Sequence, residues 1–154
     1  MRTLPAALLL AAASALVGCG DNVSWDGEPV SRADPEVVEI VSGAAAGGSV
    51  DELVTVFGGP KDVDRFVDQF GTEFGDSAIR AEIGTAFRRY DDDPDTDVGA
   101  AVISVGCDVP PSAVITEGEQ DDTWLVHAGK VKDPVDACVV AVTAVAIVTV
   151  PVPL

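Results

Sequence analysis

The segment from Cys138 to Val150 carries no charged residue and is filled with valine, isoleucine, threonine and alanine. A run of this kind either crosses a bilayer as a helix or lies inside a sheet with both faces covered. It is shorter than the roughly 20 residues a spanning helix needs. Its β-branched side chains favour extended backbone, and Pro151 and Pro153 close it. We read it as a long central strand. Exposed, such a strand would pair with other chains, so the rest of the sequence has to cover it.

Two amphipathic segments are suited to that task. After Pro60, a residue favoured in the first helical turn, Val63, Phe66, Val67 and Phe70 recur at i, i+3, i+4 and i+7, while Asp62, Asp64 and Asp68 fall off that face. Gly71 reads as the stop. From Asp76, a second stripe joins Ile79, Ile83, Ala86, Phe87 and Tyr90 despite Gly84, with Arg88 and Arg89 in the last turn, where cations suit the helix dipole. The acidic run Asp91 to Asp97, interrupted by Pro94, ends it.

The remaining apolar runs read as strands over Glu36–Ser42, Leu53–Phe57, Val98–Gly106, Val114–Glu117 and Thr123–Ala128. A flexible Ala/Gly connection is expected from Gly43 to Gly48. Val114–Glu117 and Thr123–Ala128 form a hairpin about the acidic turn Gly118–Asp122, with Trp124 and Val126 on one face and Leu125 and His127 on the other. This order predicts an α+β fold of two layers: one mostly antiparallel sheet of about five to six strands, with two helices packed on one face.

The chain opens with Arg2, an apolar stretch from Leu4 to Ala15, and then Leu16, Val17, Gly18 and Cys19. The stretch is too short to span a membrane and suits the core of a signal peptide. The four residues resemble the lipobox of bacterial lipoproteins. That resemblance implies a signal peptide over 1–18, a diacylglyceryl group on Cys19, and a protein held to the cell membrane on its exported face. An ordinary secretory signal and a retained apolar helix are the alternatives. Behind Cys19 the polar, Gly- and Pro-containing run from Gly20 to Pro35 reads as a tether, so that 19–35 links the lipid to a single globular domain over 36–154.

With Cys19 assigned to lipid, Cys107 and Cys138 have only each other. In an oxidising compartment a single disulfide is expected. Two free buried thiols or a redox pair are the alternatives, although the Cys-x-x-Cys spacing that tunes reactivity is missing. With His127 as the one histidine, a zinc centre has no support.

Nine basic residues face twenty-six acidic ones, for a net charge of -17. Phosphate backbones and anionic headgroups repel such a surface, so nucleic acid is not an expected partner. Asp91, Asp93, Asp95 and Asp97 offer hard oxygens in alternation, which makes weak Ca²⁺ binding the alternative to a solvated acidic connection. An EF-hand register starting at Asp91 puts Thr96 where the turn glycine belongs and Val102 where the bidentate glutamate belongs. No Gly-x-Ser-x-Gly elbow accompanies His127, no phosphate loop surrounds Gly47-Gly48 or Gly58-Gly59, and no cofactor is expected. The sequence favours a non-enzymatic, lipid-anchored domain that binds an envelope protein or a small ligand. A hydrolase whose carboxylates meet only on folding, and a purely structural surface lipoprotein, are the alternatives.

Overall fold

A computed structural model describes residues 33–71 and 76–153. Cys19, the signal segment and the tether as far as residue 32 lie outside the described residues. The elements run β1 (Glu36–Ala44), β2 (Asp51–Val56), α1 (Pro60–Val67), α2 (Asp76–Tyr90), β3 (Thr96–Gly106), β4 (Ala113–Glu117), β5 (Trp124–Ala128) and β6 (Val142–Pro151). The fold is α+β, with six strands in the order β1-β6-β3-β2-β5-β4 and every pairing antiparallel.

The uncharged C-terminal run supplies an interior strand of this sheet. β6 lies between β1 and β3, and its side chains divide by parity as the two-residue repeat of a strand requires. Val145 and Ile147 face the helices, in a cluster with Val63, Phe66 and Val67 of α1 and Ile79, Ile83 and Phe87 of α2. Ala144, Ala146, Val148 and Val150 face the other way, toward Trp124, Val126, Val54 and Ile103. The helices therefore cover one face only. The second face is covered by the sheet itself, which curls so that the hairpin β4–β5 folds over it and the edge strands β1 and β4 approach each other. Val37 and Ile40 of β1 and Ala113 and Ile115 of β4 pack on the same cluster.

Three local expectations change in the fold. The strand begins at Val142 rather than Cys138, because Cys138 to Ala141 serve as the approach from the disulfide; Val139 is fully solvent-exposed. Helix α1 ends at Val67 rather than near Gly71; Phe70 nevertheless stays buried, in an isolated bridge with Gly47. The Ala/Gly connection after β1 is pinned, not flexible. Ala45 N donates to Ala141 O at 2.8 Å, Gly71 N to Ala46 O at 2.8 Å, and the buried Thr143 hydroxyl to Gly47 O at 2.6 Å. Gly48, at φ +85°, is needed there, since a Cβ would meet the Phe70 ring at 2.9 Å.

Gly99 sets the approach of β2 to β3. A Cβ at this position would lie 2.6 Å from Val54 Cγ1 and 3.0 Å from Thr55 O, and the latter is backbone that cannot rotate away. Gly99→Ala should therefore push β2 outward and cost about 1–3 kcal/mol, the range for overpacking. Urea unfolding would measure this, and an unchanged midpoint would show that the strands are free to separate.

Candidate functional site

The disulfide forms as expected: Cys107 and Cys138 are joined, with their Cα atoms 5.3 Å apart. Its position in the fold matters more than its existence. β3 ends at Gly106 and β6 starts at Val142, and these two residues are register partners. The chain between them forms the β4–β5 hairpin, which joins the same sheet beside β2, and the loop 129–141, and it leaves and rejoins the β3–β6 ladder at one point. The disulfide closes that point.

Around this clamp the surface is apolar. Val105 and Val109 flank Cys107, and Val139 and Val140 follow Cys138. Val135 is tied to the same place, its N–H donating to Asp108 Oδ2 at 2.8 Å. All five valines are exposed, from 39% at Val105 to 102% at Val139. Scattered exposed valines are ordinary, but these five lie close in sequence to the two ends of one disulfide or are hydrogen-bonded beside it. The loop is further fixed by Gly129 N, which donates to Ser112 O at 2.7 Å. Its charged residues, Lys130, Lys132, Asp133 and Asp136, are all solvent-exposed. The chain enters the fold at the other end of the sheet, where Glu36 pairs with Thr149. The ten residues of β6 put roughly 30 Å between the two ends.

His127 occupies a more organised position than its isolation in the sequence suggests. Glu52 Oε2 lies 3.1 Å from Nδ1, and Thr116 Oγ1 lies 3.2 Å from Nε2. With the carboxylate accepting from Nδ1–H, Nε2 is left to accept from the Thr116 hydroxyl. This hydroxyl, imidazole and carboxylate order is that of an activated nucleophile. The surroundings differ from those of a catalytic site. Glu52 and His127 are about half exposed, so water competes with every contact. The network instead links three strands where the sheet is weakest, since β2 and β5 share the single register pair Leu53 and Leu125. Sequence spacing gave no hint of it, because Glu52 and His127 are 75 residues apart.

The acidic run folds as the turn between α2 and β3. Asp93 Oδ1 accepts from Asp95 N at 3.0 Å, which closes a local turn, and Asp95 O accepts from Val152 N at 3.2 Å. Asp97 already belongs to β3. The structure thus does not gather Asp91, Asp93, Asp95 and Asp97 about one point, and among the described residues no group of three or more metal-ligating side chains is assembled. Nearby, an open hollow of about 560 Å³ is lined by Asp34, Glu36, Arg89, Tyr90, Asp92 and Asp93. Its carboxylates are solvent-exposed, and the hollow lacks the enclosing walls of a small-molecule site.

No helix among the described residues is long and apolar enough to cross a membrane. Compared with known proteins, the chain matches no family, no curated sequence and no solved structure.

Proposed function

We propose that this chain is an exported protein held to the cell membrane by a lipid on Cys19, and that its folded domain works by binding a protein partner at the disulfide-clamped end rather than by catalysis. The observation that carries the binding role is the group of five exposed valines about Cys107 and Cys138. A rigid apolar surface loses little conformational entropy on docking, which is what distinguishes a contact surface from a mobile loop. The lipobox-like residues at the head of the chain support the address, and a disulfide is a bond that persists outside the reducing cytosol. The charge of -17 keeps the body off anionic headgroups while the anchor holds it near them. Residue 36, where β1 begins, and the clamp lie at opposite ends of the sheet.

Cys19→Ala tests the anchor. The variant should lose the mass of the lipid and retain the mass of the leader. A wild-type protein whose mass matches an unmodified chain would end the lipoprotein reading. Valine tip variants test the binding role: in-cell crosslinking from position 139 should yield a discrete adduct, and its absence would refute binding at the clamp.

A further inference from the structure

The clamped loop has the composition of a surface that fits itself. Residues 130–136 read Lys-Val-Lys-Asp-Pro-Val-Asp, with both cations in the first half and both anions in the second. On the helices, by contrast, arginines are engaged within the fold: Arg65 with Asp62 at 2.8 Å, Arg80 with Asp68 at 3.1 Å and Asp64 at 3.6 Å, Arg89 with Glu39 at 3.3 Å. Among the described residues Lys130 and Lys132 form no ion pair, a condition they share with Lys61 and Arg88, although acids outnumber bases nearly three to one in the chain.

We infer that the partner at this surface is a second copy of the chain, docked tip to tip across a two-fold axis. Valine meets valine there, and the Lys130–Lys132 half of each loop lies against the Asp133–Asp136 half of the other. The inference rests on the proposed role of the clamped end as the binding surface. A two-fold axis reverses the direction of one loop relative to its copy, so a loop with cations first and anions second becomes complementary to itself. Elsewhere, contact between two bodies of charge -17 sets like charge against like. At the tip Lys130 and Lys132 stand against Asp108, Asp133 and Asp136, which is closer to balance than the nine bases and twenty-six acids of the whole chain, and this selects the orientation over others. The patch is smaller than the roughly 800 Å² per partner of a standard stable interface. The dimer is therefore weak in solution and is favoured when both copies share one membrane, where tethering raises effective concentration.

The test uses the full chain in its own membrane, with a photo-crosslinking amino acid replacing Val139 and two differently tagged copies expressed together. The expected product carries both tags and has twice the mass. Lys130→Asp with Lys132→Asp should lower its yield at least about tenfold. Asp133→Asn with Asp136→Lys should do the same; asparagine is chosen because Asp133 sits at φ 53°, which asparagine tolerates. Co-expression of one copy of each variant should restore the product. Resistance of Cys107 and Cys138 to alkylation shows that each variant has folded. Adducts made only with a different protein would overturn self-association and leave the binding role standing, whereas no adduct would remove both. A doubly tagged product indifferent to the charge exchanges would also overturn the inference.

Discussion

Phe57→Ala is expected to lower the unfolding free energy by about 3–5 kcal/mol, the range for removing a buried phenylalanine. Phe57 follows β2 directly, is 2% exposed, and has its N–H bonded to Val98 O at 2.8 Å. Its ring meets Phe66 of α1 at 5.5 Å and Phe87 of α2 at 6.2 Å, both edge to face. One side chain thus joins the sheet to both helices. Alanine would forfeit two aromatic contacts and leave a cavity that the backbone of β2, paired with β3 on one side, cannot close. Since small domains are stable by about 5–15 kcal/mol in all, the variant should be marginal. Urea denaturation with an unchanged slope would report the loss directly. A loss below about 1 kcal/mol would mean that the helix layer can repack without Phe57.

The second large effect concerns the clamp. Replacing Cys107 and Cys138 together by serine should cost about 3–4 kcal/mol, the chain-entropy value for a cross-link between residues 31 apart. Removing both avoids leaving one reactive thiol. The loss should appear as a fall in melting temperature of roughly 10–15 °C. The ladder between β3 and β6 continues to Gly106 and Val142 without the disulfide, so the sheet should survive at moderate temperature while the loop 129–141 gains freedom. Hydrogen exchange would separate the two effects, with protection lost in the loop and retained in β6. Under non-reducing conditions, wild-type Cys107 and Cys138 should both resist alkylation. Free thiols in the folded protein would contradict the pairing.

Elements whose signals are local could be read from the chain. Pro60 and the four-residue apolar spacing located α1, the Ile79, Ile83, Phe87 stripe located α2, and both hairpin strands fell where the alternation placed them. The residues misjudged are those whose conformation is set by distant partners. Cys138 to Ala141 looked like strand because they are apolar, but the disulfide to Cys107 takes them out of the ladder. Ala45 to Gly48 looked flexible because they are small, but their polar groups are satisfied by Ala141, Gly71 and Thr143. Of the candidate site, the cysteine pair was legible by arithmetic. The grouping of exposed valines was not, because Val105 and Val109 are brought to the same end of the sheet as Val139 only through the bond between Cys107 and Cys138.

The stretch from Cys138 onward, by its lack of charge and its β-branched residues, determined that this protein would be built around a strand buried on both faces, since no other arrangement hides so much apolar backbone in a chain this acidic. How the two faces are covered was decided by tertiary structure. The helices had enough apolar surface for one face only, so the sheet curled and brought Trp124 and Val126 over the other. That curl costs no hydrogen bonds along β6 and removes the apolar face of the hairpin from water as well. The same closure sends the chain out of the β3–β6 ladder at Gly106 and back at Val142, and so places the disulfide, and the valines near it, at an end where nothing in the described fold covers them.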